Sequence, residues 1–443
     1  MNYSKTAAFL LLLTLLAANF LSAQTAPAPT KQEKLLNGLK VLIWNEPKAE
    51  KVSLRLRIHS GAAFDPKDKM GVMALVTDIL FPTDQTKNFF EEDLEGSLEV
   101  VSNYDYIQIN ATAKSDEFLT ILETIATVVS NPPITQENFV KVRDARLKAV
   151  EEMQKNPAYV ADTAVARRLL GDFPYGRPQA GTPESLKLID RPDLLTAKDK
   201  FFTADNATLA ITGNVKPEFA YMAARRLFGA WKKADKLIPA TFRQPDEPDA
   251  SLQIVASPLI ENPEVRYATR GLARNDKDFI ASSILIKILN DRMAKAMPKD
   301  RPERAFARQY PSLLPGLIVV GMSNLTGLDV NSQLSANPPR THMIIFKEEN
   351  LIANLLYTKI STEEFEKAAK EVVSEINQTN PADLWLNVDT YKLASAKDEM
   401  QRAGSVTIGE VQQLAEKFQK QPFVRILMTK PTVSAEKTNP NNN

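Results

Sequence analysis

Residues able to hold a metal ion or act as nucleophiles are scarce in this chain. Its 443 residues include two histidines, His59 and His342, and no cysteine. The two histidines are far apart in sequence, so no i, i+4 pair can grip an ion from one helix face. Thiol catalysis and disulfides are excluded outright. A Ser-His-Asp arrangement would have to use His59 or His342. His59 falls on the charged, outward phase of an alternating strand, and His342 follows Pro338-Pro339-Arg340, so both read as surface residues. There is no G-x-S-x-G, no phosphate-binding G-x-x-x-x-G-K-[ST] and no dinucleotide fingerprint. Trp44, Trp231 and Trp385 are scattered, which suits packing better than a sugar platform.

The chemistry that remains must come from carboxylates, and Gly71 to Thr83 is the stretch that would position them. Val72, Leu75, Val76, Ile79 and Leu80 recur at the three-and-four spacing of a buried helix face. Phe81-Pro82-Thr83 stops the helix, because proline cannot continue it. Its polar residues are Thr77 and Asp78. Asn138 to Gln154 reads as a long amphipathic helix that carries Glu151 and Glu152 near its end. Asp78 with Glu151 or Glu152 is the one conceivable cation grouping. A hard cation needs about six oxygens, and no loop here supplies them. Glu151 and Glu152 read more simply as solvated helix-face carboxylates.

Around that stretch the chain reads as two α+β units. Ala7 to Ala18 is an apolar run behind Lys5, too short to span a bilayer, so residues 1–23 read as a signal peptide and the protein as periplasmic or secreted. Residues 24–34 read as a flexible leader. Residues 35–233 form a first domain, with strands at Gly38 to Ile43 and Val52 to Ile58. It also has a helix over Asp116 to Val129, capped by Ser115. Residues 234–250, with Pro239, Pro245 and Pro248 among charges, read as a linker. The pattern then restarts over 251–429. A strand ends on Gly271 and a helix runs from Lys277 to Met297. Capping boxes stand at Ser361-Thr362-Glu363-Glu364 and Thr407-Ile408-Gly409-Glu410. Residues 430–443 read as a disordered tail. With 55 basic against 54 acidic residues, no charge excess points to nucleic acid or an anionic membrane.

Several short motifs occur in a telling order. They are the Gly71 block with Leu80, Phe81 and Thr83, then Pro174-Tyr175-Gly176, then Gly181-Thr182-Pro183-Glu184-Ser185-Leu186. Asn206 to Val215 and Phe228-Gly229-Ala230-Trp231 follow. Together they resemble the insulinase (pitrilysin-type) metallopeptidases from about Gly38 to Phe423. The resemblance implies two homologous domains, each a mainly antiparallel sheet packed against helices. It also implies a zinc helix at Gly71–Thr83 carrying H-x-x-E-H. Here the two histidine positions fall on Ala74 and Asp78 and the glutamate base on Thr77. Aligning on Asn156-Pro157 puts the third ligand at Ala149. The family's substrate-holding Arg and Tyr, at R-x6-Y, have Arg304 and Tyr310 as their nearest approach, with Phe306 in the tyrosine's place. Lys299 to Tyr310 otherwise reads as a charged loop.

The resemblance therefore points to a catalytically inactive member, with no cofactor, paired with a zinc-bearing homologous subunit and helping to enclose peptide. A scaffold without a proteolytic role, and an active metallopeptidase with a different metal site, are the alternatives.

Overall fold

The computed structural model describes residues 27–258, 260–296, 305–325 and 358–431. The signal-peptide reading, most of the tail, Arg304 and His342 fall outside these residues.

Two sheets organise the chain. The first has the order β1-β2-β6-β3-β5-β4, formed by Lys31–Lys34, Lys40–Asn45, Lys51–Ile58, Ser97–Ser102, Ile107–Lys114 and Ala207–Gly213 in chain order. The second has the order β7-β11-β8-β10-β9, formed by Leu252–Ala256, Glu264–Arg270, Ala305–Gln309, Leu317–Met322 and Val424–Thr429. Leaving out β1, the two orders correspond strand for strand. β2 runs parallel to β6 and β7 parallel to β11, while the other neighbours in both sheets are antiparallel. The fold is α+β with a repeated topology.

Alternation explains the layers. On β3, Val52, Leu54, Leu56 and Ile58 are buried in the first core. That core is completed by helices Val72–Ile79, Phe118–Ser130, Gln136–Gln154, Arg191–Phe201 and Pro217–Phe228. The second core sets Val265 and Tyr267 of β8 against helices Phe279–Ala296, Thr362–Gln378 and Ile408–Gln419. Both late capping boxes form as the sequence indicates, and so does the Thr182 cap.

The far face of each sheet is covered by a helix from the other half. Helix Pro157–Leu170 packs Val165 and Leu169 against Ala268, Val424 and Ile426 of the second sheet. Helix Pro381–Tyr391 packs Ala382 and Leu386 against Leu42, Trp44 and Ala210 of the first. Both helices open alike, with Asn156 or Asn380 accepting from the backbone N–H two residues on and proline in the first turn.

Four local readings change. Lys31–Lys34, read as loose leader, pairs with β2. Ser115 does not cap the Phe118–Ser130 helix; its hydroxyl donates to Glu50 O at 3.0 Å. The segment read as a charged loop up to Tyr310 is strand from Ala305, because Ala305 and Ala307 alternate into the core. Trp44 and Trp385 are not scattered: their rings meet edge-on at 6.4 Å across the junction of the halves.

Candidate functional site

The corner before the Val72–Ile79 helix is built tightly. Gly71 has φ 99°, and a Cβ there would lie 2.9 Å from Leu186 Cδ2 and 3.1 Å from the Gly181 Cα. Only glycine suits both demands. Asp65 caps the turn from outside the helix, accepting from Gly71 N at 2.7 Å and Met73 N at 2.8 Å. Burial pushes its carboxyl up to about 7, against the pull of those two N–H groups and of Arg177. Arg177 donates to Asp65 O and Ala63 O, and Ser185 donates through its hydroxyl to Met70 O at 2.7 Å. The P-Y-G and G-T-x-x-S-L segments thus hold the helix start in place.

The helix they position carries little chemistry. Ala74 is buried and has no donor atom. Thr77 is buried, and its hydroxyl donates back to Met73 O at 2.8 Å. Asp78 is gripped by Arg146 of the facing Gln136–Gln154 helix. Arg146 Nε lies 2.8 Å from Asp78 Oδ2, and one terminal nitrogen lies 2.5 Å from Oδ1. Burial raises the Asp78 carboxyl, while Arg146 and then Lys87 pull it down. Ala149 is exposed and shares with Asp78 and Arg146 a pocket of about 380 Å³. Glu151 and Glu152 are exposed, do not line this pocket, and Glu152 pairs with Lys155. The imagined cation grouping of Asp78 with Glu151 or Glu152 is therefore not assembled, because the helix turns those two carboxylates toward solvent.

These residues do not fit a zinc ion. Two of the four positions have no donor atom, the third is a hydroxyl spent on backbone, and the fourth is a carboxylate already forked by a guanidinium. Among the described residues no three of His, Cys, Asp and Glu gather as a metal site. Arg146 is the site residue that sequence reading missed. It stands three residues before Ala149, hence on the same helix face one turn earlier. The available signal was an acidic residue, Asp78, at a position where the resemblance implies a ligand, and a basic residue on the same face of the partner helix as Ala149.

The other candidates lie elsewhere. Tyr310 is 63% exposed at the end of β9. Phe306 is stacked between Arg266 and Arg308, whose guanidinium carbons lie 4.9 and 4.2 Å from its ring centre, so it packs rather than faces a substrate. His59 does point outward from β3, but that outward face lies under helix Pro381–Tyr391. Its Nδ1 is 3.0 Å from Thr390 Oγ1 and its Nε2 3.0 Å from Thr208 Oγ1. Burial depresses the ring to about 3. Thr208 in turn donates to Asp389 at 2.9 Å. This is a closed structural network at the junction of the halves, and its hydroxyls face no open site.

Comparison with known proteins places this geometry. Residues 40–183 match the family model of insulinase (peptidase family M16), and residues 189–297 match the peptidase M16 inactive domain. An uncharacterized zinc protease of Rickettsia felis is 24% identical over 216 residues, 47% of this chain and 52% of that protein. Subunit 1 of the cytochrome b-c1 complex of Saccharomyces cerevisiae is 27% identical over 202 residues, 44% of each chain. The chain thus spans about half the length of the curated relatives it matches. A peptidase M16 inactive-domain structure from Pseudomonas fluorescens superimposes with a TM-score of 0.76 at 19% identity, over 90% of this chain and 98% of that one. A Helicobacter pylori protease does so at 0.78 and 14% identity, over 91% and 100%. At such identities the structures speak for the fold alone. With both family models matched in order along the chain, and the Gly71 corner built from the motifs that carry the resemblance, the protein belongs to the insulinase family, peptidase family M16.

Proposed function

We propose that this chain is a non-catalytic member of its family, working beside a homologous subunit that carries H-x-x-E-H and supplying one wall of a peptide-holding chamber. The observation that carries this reading is the Asp78–Arg146 fork. Two helices that would have to share a metal ion for hydrolysis are joined instead by an ion pair. The site has a pocket and, beside it, the last strand of a sheet: among the described residues β4 has β5 as its one strand neighbour, and Val100 of β4 lines the pocket. An extended peptide can pair with such an edge. The chain needs no cofactor in this reading, and acts in the periplasm or outside the cell.

Two measurements on the full chain test it. The isolated protein should leave peptides intact, with or without added zinc, and affinity purification under native conditions should bring down a homologue with the zinc motif. Chelator-sensitive peptide hydrolysis by the isolated chain would overturn the reading. Recovery of an unrelated envelope assembly without that homologue would favour a scaffold role instead.

A further inference from the structure

The Asp78–Arg146 fork leaves part of the guanidinium unspent. Nε and one terminal nitrogen hold the two Asp78 oxygens, and among the described residues the second terminal nitrogen has no hydrogen-bond partner. Arg146 is therefore held rigidly by one carboxylate while still offering N–H donors. It does so in the wall of the 380 Å³ pocket, whose other surfaces include Phe81, Pro82, Val100 and Val142. Lys87 lies on the same wall and makes no ion pair among the described residues. Two cations against one anion leave the pocket positive, and its walls are otherwise mainly apolar.

We propose that this pocket binds the C-terminal residue of a peptide, with an apolar side chain against Phe81 and Val142 and the terminal carboxylate on Arg146. This deepens the peptide-wall reading above and rests on it. The choice of a chain terminus follows from the layout. A C-terminal residue carries an apolar side chain and a carboxylate on one carbon, which is the pairing that these walls and this guanidinium present together. An internal Asp or Glu places its carboxylate at the tip of the side chain and needs the backbone to continue past the pocket. Residues upstream of the terminus can run along the free edge of β4, which the pocket adjoins through Val100. A preoriented Arg–carboxylate contact discriminates because the amide of a blocked terminus removes the charge and one acceptor.

The test is a fluorescence-anisotropy titration of the full-length chain with labelled decapeptides. One ends in Phe with a free carboxylate, one is the same peptide amidated, and one is amidated with an internal Glu. The free acid should bind roughly ten- to a hundredfold more tightly than its amide, the range of one charge-assisted contact. Ala149→Trp, which fills the pocket from an exposed position, should abolish that preference. Arg146→Gln combined with Asp78→Asn should reduce the acid-to-amide ratio to near one. Equal binding of acid and amide, equal binding of the internal-Glu peptide, or no binding of any peptide would overturn the proposal. The ratio is read without a partner subunit. A failure here with a zinc homologue still co-purifying leaves the non-catalytic reading standing.

Discussion

Two polar junctions of this molecule, one between two helices and one between exchanged helices and the sheets they cover, are built differently. At the candidate site, the Val72–Ile79 and Gln136–Gln154 helices meet through one fork whose side chains keep 30% and 21% of their surface exposed, beside an open pocket. At the exchanged helices, charge is sunk. Arg266 of β8 is wholly buried, with Asp162 of the Pro157–Leu170 helix at 2.6 Å and Glu264 at 2.9 Å. Arg57 of β3 is 2% exposed and reaches Gln108, Asn387 and Thr390 beneath the Pro381–Tyr391 helix, with the Tyr106 ring 4.1 Å away. A fully buried arginine helps to join the two halves, whereas the candidate site is tied by a fork that is part exposed on both sides.

Breaking that contrast should produce graded effects. Arg266→Met leaves the buried Glu264 without its cation, while Asp162 keeps Arg308, and should cost about 3–5 kcal/mol in urea unfolding, the usual penalty for removing one partner of a buried ionic network. Arg57→Met leaves mainly neutral acceptors unpaired and should cost less, about 1–3 kcal/mol. If the two substitutions proved harmless, the locked-halves picture would be wrong.

Acid should loosen one junction and tighten others. His59 is held at about 3, below its ordinary 6.5, so the folded state binds fewer protons there. Its contribution is complete above 6.5 and is lost as pH falls from 6.5 toward 3. Asp65 and Asp105 are raised by burial, to about 7 and about 6, so each adds stability as pH falls through its value toward 3.8. Asp105 accepts from the Tyr175 hydroxyl and from Leu313 N of the second half, so the junction contains both signs. His59→Asn should raise the acid limb of the urea-midpoint profile between pH 6.5 and 3. An unchanged profile would show that the ring is not held neutral.

The smaller effects sharpen the comparison. Asn380→Ala and Asn156→Ala should each cost about 1 kcal/mol, as lost caps on the exchanged helices. Asp78→Asn with Arg146→Gln should cost about 1 kcal/mol or less, because a partly exposed ion pair contributes little. A larger loss would mean that the fork is a structural tie comparable to the buried arginines.

Much of this architecture is legible in the sequence, and the gaps have physical causes. Alternation on Val52 to Ile58 and the capping boxes at Ser361 and Thr407 act over a few residues, and the structure reproduces them. Alternation puts His59 on the outward phase at the end of β3, but nothing local says that a helix more than 300 residues later covers that face and buries it. Helix Pro381–Tyr391 itself went unread, although Asn380-Pro381 repeats the Asn156-Pro157 start signal. At the candidate site, the absence of histidine from Gly71 to Thr83 is read directly from the residues. The role of Arg146 depends on two helices facing each other, a tertiary relation that no spacing along one helix reveals.

The most direct test is calorimetric titration of zinc into the purified full-length chain, with the thermal midpoint read in chelator. The account predicts no stoichiometric tight binding and a midpoint that chelator leaves unchanged. One zinc per chain, bound tightly and lost in Asp78→Ala, would contradict it.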